Sequence, residues 1–151
     1  MILSKKDHKL IDPLLEEFEA IHLGQLPRCF VHGDILTTNT IKDKKGKLWI
    51  IDFSVSNYYP RIVELAVLGC NILFNPKNKT KSTKNFETAL MEYQKRIPLK
   101  KQEIEALPIF LKVAHAMHII CATYEKVVNR NKSKENEYWI EQGRAGLRQL
   151  K

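Results

Sequence analysis

Between Phe30 and Phe53 the chain reads FVHGDILTTNTIKDKKGKLWIIDF, and this stretch restricts the fold more than any other. Two short β-like runs, Thr38 to Lys42 and Lys47 to Ile51, are joined by Asp43-Lys44-Lys45-Gly46. Polar residues with one glycine able to take positive φ predict a hairpin there. Asp34 lies two residues after His32, Asn39 five after Asp34, and Asp52 thirteen after Asn39 at the end of the apolar run LWII. Hairpin pairing brings Asn39 and Asp52 side by side. Ionisable groups at the ends of strands that read as buried are expected to do chemistry.

Around this hairpin the pattern is helical. From residue 7 to 22, Leu10, Ile11, Leu14, Leu15, Phe18 and Ile21 recur every three or four positions, with Glu16, Glu17 and Glu19 opposite, which predicts an amphipathic helix ended near Gly24 and Pro27. A short apolar run, Cys29 to Val31, precedes the polar loop. Residues 61–74, RIVELAVLGCNILF, are apolar on nearly every face, as in a helix inside a bundle. The basic stretch 75–84 reads as a loop, and three further helices are expected over 83–97, about 103–129 and about 134–150, the second bent or started at Pro108. At 151 residues with 44% apolar content the chain is expected to form one domain, 1–151, mainly α with a small β-hairpin, an α+β class.

Oxygen ligands from Asn39 and Asp52 could reach one hard cation, with Asp34 facing the same cleft as a free carboxylate. Phosphoryl transfer needs that division of labour: a metal offsets phosphate charge, and a carboxylate accepts the proton of the attacking hydroxyl. The spacing of His32-Gly33-Asp34-Ile35-Leu36-Thr37-Thr38-Asn39 and of Asp52-Phe53-Ser54 is that of the protein-kinase pattern H-R-D-L-x-x-x-N followed by D-F-G. With glycine in place of arginine, and an apolar strand ending in I-D-F, the stretch resembles the aminoglycoside phosphotransferase, choline kinase and homoserine kinase group of protein-kinase-like enzymes.

The resemblance implies that Asp34 is the catalytic base, that Asn39 and Asp52 bind the Mg²⁺ of MgATP, and that His32 and Gly33 support the catalytic loop, 32–39. The metal-binding strand end is then 51–53 and the helical bundle 60–151. Pro60-Arg61-Ile62-Val63-Glu64-Leu65-Ala66 looks like the group's P-x-x-x-D-L-A segment, with Glu64 as a supporting residue in place of the usual aspartate and Tyr59 in place of the aspartate before the proline. The implied fold is the C-terminal lobe of a protein-kinase-like phosphotransferase. The N-terminal nucleotide lobe is absent, because the 31 residues before His32 read as one helix and its exit. The expected function is part of an ATP-dependent small-molecule O-phosphotransferase, incomplete on its own, with the Asp52 to Pro60 spacing closer to the homoserine kinase branch. The alternatives are a catalytically inactive truncated lobe or partner-dependent subunit, and a basic nucleic-acid-binding module. Expected partners are a small-molecule hydroxyl substrate and either a separate N-terminal lobe or a second copy.

Composition narrows the remaining options. With 25 Lys and Arg against 17 Asp and Glu, the net charge of +8 favours anionic partners and argues against a polycationic aminoglycoside. Lys77, Lys79, Lys81 and Lys84 lack interleaved aromatics, so a solvated loop is expected there rather than a nucleic-acid interface. Cys29, Cys70 and Cys121 are expected to fill core in a reducing, cytoplasmic setting. Neither a signal peptide nor a stretch of about 20 apolar residues fit to span a membrane is read. His115 and His118 read as core or helix-surface residues, Glu64 as a buried structural partner, and Trp49 and Phe53 as packing the hairpin against the bundle.

Overall fold

A computed structural model describes residues 2–151. The chain is mostly helical with two small antiparallel sheets and divides into two compact units, Met1–Ile21 with Pro108–Lys151, and His22–Leu107.

The first unit is built from helices. Helix α1, Lys5–Glu19, begins two residues before the expected span because Ser4 caps it: the Ser4 hydroxyl accepts from the Asp7 backbone N–H at 3.2 Å and donates to the Asp7 carboxylate at 2.6 Å. Helix α4, Lys101–Val127, runs through Pro108, where the boundary between the units falls. Helix α5, Lys134–Gln149, starts on a Ser133 cap that accepts from the Asn136 N–H. The core of this unit is Ile11, Leu14, Ala116, Ile119 and Leu147. Helices α4 and α5 approach closely at Gly143 and Gly146; a Cβ on Gly143 would lie 2.5 Å from the carbonyl oxygen of His115, and one on Gly146 would run into the His115 ring. His115 is buried and the His118 ring is tilted against Trp139 with centroids 4.7 Å apart, and burial pushes the two imidazoles down to about 3 and about 4. Buried Asp7 is held in a two-pronged pair by Arg144, at 2.8 and 2.9 Å, which ties the start of α1 to α5. Among the described residues α4 is also the one helix that is long and apolar enough, by length and composition alone, to cross a membrane, contrary to the expectation from sequence. Ala116 and Ile119 bury on it, as on the central helix of a bundle.

The second unit holds both sheets. Strand β1, Arg28–Val31, pairs with β4, Asn57–Pro60, with Arg28 opposite Pro60 and Val31 opposite Asn57. Strand β4 is not evident in the sequence. Strands β2, Thr40–Lys42, and β3, Leu48–Ile50, form the predicted hairpin with Ile41 opposite Trp49, each shorter than the β-like run that predicts it. The turn is organised by Asp43, whose carboxylate accepts from the N–H groups of Lys45 and Lys47 and from the Trp49 indole. Helix α2, Ile62–Leu68, passes into a π turn over Gly69–Leu73. Helix α3, Lys79–Gln94, starts inside the stretch expected to be loop, because the Asn78 side chain caps it by accepting from the Lys81 N–H at 2.9 Å. Val31, Ile62, Leu65, Ala66 and Cys70 are buried here, and Arg61 reaches buried Glu103 with two contacts of 2.7 Å.

Two packing expectations fail. Trp49 and Phe53 are exposed rather than packed, and all three residues of β3 face solvent, so the hairpin is apolar without being buried. Cys29 and Cys121 are exposed, leaving Cys70 as the one core-filling cysteine; no disulfide joins cysteines among the described residues.

Candidate functional site

All five polar residues singled out from sequence, His32, Asp34, Asn39, Asp52 and Glu64, belong to the second unit; hydrogen bonds link His32, Asp34, Asn39 and Glu64 around one loop, and Asp52 follows Ile51, which His32 and Asn39 both hold. His32 leaves β1 and is buried. Its Nε2 lies 2.9 Å from the Ile51 carbonyl and its Nδ1 accepts from the Asp34 N–H at 3.2 Å. A carbonyl can only accept and an amide N–H can only donate, so the ring proton sits on Nε2. The ring also meets Phe53 edge-on, with centroids 4.7 Å apart. His32 therefore grips the residues on both sides of Asp52 while its other nitrogen holds Asp34.

Gly33 follows at φ 81, a left-handed conformation that disfavours any side chain, with Val55 close to where a Cβ would be. This turn points the backbone N–H groups of His32 and Gly33 at one carboxylate oxygen of Glu64, which accepts from both. Its other oxygen is buried and unpartnered. Glu64 is half-buried rather than buried, and its role is to anchor the loop to α2. A glutamate at this position is long enough to reach both amides.

The Asn39 side chain donates its amide nitrogen to the Asp34 carbonyl at 3.0 Å and to the Asp34 carboxylate at 3.1 Å. That commitment turns the amide oxygen into the group free to ligate. On the backbone, the Ile51 N–H donates to the Asn39 carbonyl at 3.0 Å, extending the hairpin ladder by one pair and setting Asp52 one residue beyond Asn39's partner.

Asp52 is exposed and takes φ 64, the left-handed region that aspartate tolerates better than most residues and that collects at functional sites. The Ser54 hydroxyl, at 2.6 Å, and the Ser54 N–H, at 3.3 Å, hold its carboxyl below the usual carboxylate range. An ionised, exposed carboxylate and an amide oxygen are both ligand types suited to a hard divalent cation.

Two contributors were not singled out from sequence. Ser54 replaces the glycine of the kinase pattern and binds Asp52 directly. Asn71, on the π turn after α2, donates to the Ile35 carbonyl at 3.2 Å and so steadies the loop from behind. An asparagine inside an otherwise apolar helix is the signal that pointed to it.

A mainly helical chain with small antiparallel sheets, carrying a carboxylate, an amide and a second carboxylate on a braced loop and hairpin, has the makings of a phosphotransferase-type protein. Residues 3–96, more than half of the chain, match the family described as APH, phosphotransferase enzyme family, and the chain belongs to that family. A comparison with curated proteins found no match.

Proposed function

We propose that this protein takes part in ATP-dependent transfer of a γ-phosphoryl group to the hydroxyl of a small molecule, in the manner of homoserine kinases or of aminoglycoside and choline kinases. The observation that supports this most is the Asn39 side chain. It is hydrogen-bonded to Asp34 while its backbone pairs with Ile51, so that one residue connects the base to the strand end carrying Asp52.

In this reading Asp34 is the base, oriented by the Asn39 amide and by its own N–H on His32. It accepts the proton of the acceptor hydroxyl as the oxygen attacks phosphorus. Asn39 and Asp52 would hold Mg²⁺, which when bound offsets the charge of the triphosphate. His32, Gly33 and Glu64 keep the loop in its turn. The acceptor is a small-molecule alcohol, homoserine-like before aminosugar-like, since the net charge of +8 opposes a polycation. The setting is cytoplasmic, with no membrane or nucleic acid as partner. The reaction also needs an upper lobe over the nucleotide, and in this reading that lobe is supplied from outside these 151 residues.

The test is turnover of MgATP with homoserine, choline and an aminoglycoside as acceptors, with and without a separately expressed family upper lobe. The expected result is acceptor phosphorylation that needs the added lobe and disappears in Asp34→Asn. Phosphorylation that survives Asp34→Asn would remove the base from the proposal, and no turnover with the lobe present favours the inactive-lobe reading.

A further inference from the structure

The hairpin β2–β3 is apolar and uncovered on both faces. Leu48 is 62% exposed and Ile50 46% on one side, and Ile41 and Trp49 are each 49% exposed on the other. A two-stranded hairpin alone is marginal in water, and stability comes from a third strand or a covering layer. The ladder shows where such a strand fits. Asp43 N–H bonds to the Lys47 carbonyl and Ile51 N–H to the Asn39 carbonyl, so by antiparallel alternation Ile41 and Trp49 face each other within the pair. The backbone groups of Leu48 and Ile50 therefore point outward, along an open edge of β3.

The rim of this surface is cationic. Lys42, Lys44, Lys45 and Lys47 are all exposed, and none is in an ion pair among the described residues; Lys47 lies over the Trp49 ring at 3.9 Å. The one carboxylate of the hairpin tip, Asp43, is taken up by the turn, and the Trp49 indole N–H first and then the turn amides hold it below the usual range. Leu48 and Ile50 share one face, while on the other Lys47 lies over Trp49, so a strand added at the edge meets apolar side chains on the first face and a cation on the second, which selects alternating apolar and acidic residues. A second copy would bring lysines against lysines. A lipid surface would leave the outward N–H and C=O groups of Leu48 and Ile50 unpaired in hydrocarbon. A nucleic acid would neutralise the lysines but leave Leu48 and Ile50 in water.

We infer that the β3 edge is a docking site for an extended polypeptide segment of alternating apolar and acidic residues, added to the hairpin as a third strand. This surface stands on exposure, register and charge, on the hairpin whose base carries Asn39 and Asp52.

Fluorescence anisotropy of a labelled peptide of alternating valine and glutamate, titrated with the full chain, tests it. The peptide is expected to bind, to weaken as salt is raised, and to lose roughly tenfold or more in affinity in Lys44→Glu/Lys45→Glu. Leu48→Thr, which keeps β propensity and removes apolar contact, is expected to weaken it as well. Equal binding of the same peptide with lysine for glutamate, indifference to both variants, stronger binding to phosphatidylserine vesicles or to oligouridylate, or no binding would each overturn the inference. Because nucleotide binding is lost or kept through Asp52 and not through these residues, failure here is distinguishable from failure of the phosphotransferase reading.

Discussion

At the scale of single residues, the account turns on side chains that hold backbone. Glu64 satisfies two amides of the loop that carries Asp34, so removing it strands the His32 and Gly33 N–H groups in a half-buried turn. Glu64→Ala is expected to lower stability by about 1–3 kcal/mol, and Glu64→Gln, which keeps the accepting oxygen, by distinctly less. Urea denaturation of the two variants checks this, and equal losses would show that the side chain acts by volume rather than by accepting. Asp7 makes a pH prediction. Arg144, and then the Ser4 hydroxyl, lower its carboxyl from 3.8 to about 2 against the cost of burial. A lowered folded value contributes stability above the unfolded value and loses it as pH falls through the folded one. Stability is thus expected to drop by about 2 kcal/mol between pH 5 and pH 2 on account of this pair. Asp7→Asn should already be destabilised at neutral pH and lack that part of the decline. Spacing and the family resemblance pick out His32, Asp34, Asn39 and Asp52; hydrogen bonds join the first three, and the roles of all four are proposals. Ser54 and Asn71 are not picked out in this way: a hydroxyl carries no signal of its own, and the asparagine in an apolar helix shows that a polar partner exists without showing that it is the Ile35 carbonyl.

Elements show where local sequence stops determining structure. The hairpin was readable because the Asp43-to-Gly46 turn is specified locally, by side-chain bonds to Asp43 and by Gly46 at φ 84. Strand β4 was not, since Asn57-Tyr58-Tyr59-Pro60 lacks alternation and becomes a strand by pairing with β1. The start of α3 was misplaced because lysine-rich sequence reads as loop, while one Asn78 cap is enough to begin a helix there. Burial differs more: apolar strands suggest a core, yet nothing among the described residues covers β3. The α4–α5 pairing carries a prediction at this scale. Gly143→Ala and Gly146→Ala are each expected to cost about 1–3 kcal/mol through overpacking. Their obstacles differ, one being the His115 carbonyl and the other its ring. Adding His115→Ala should therefore recover part of the Gly146→Ala loss and none of the Gly143→Ala loss, as read by thermal denaturation in a double-mutant cycle.

For the molecule as a whole, the phosphotransferase family and the α+β architecture agree with what the loop and hairpin suggested, while the acceptor and the upper lobe are matters of proposal. The helices after Pro108 name no acceptor, since their buried residues, among them Ala116, Ile119 and Leu147, serve packing. The central claim is narrower than full turnover: Asn39 and Asp52 together form a Mg²⁺-nucleotide site on a hairpin braced by His32. Calorimetric titration of the full chain with ATP, with and without Mg²⁺, tests it most directly. The account predicts weak binding that requires Mg²⁺, disappears in Asp52→Ala and persists in Asp34→Asn; binding that ignores Mg²⁺ or is unchanged in Asp52→Ala would contradict it.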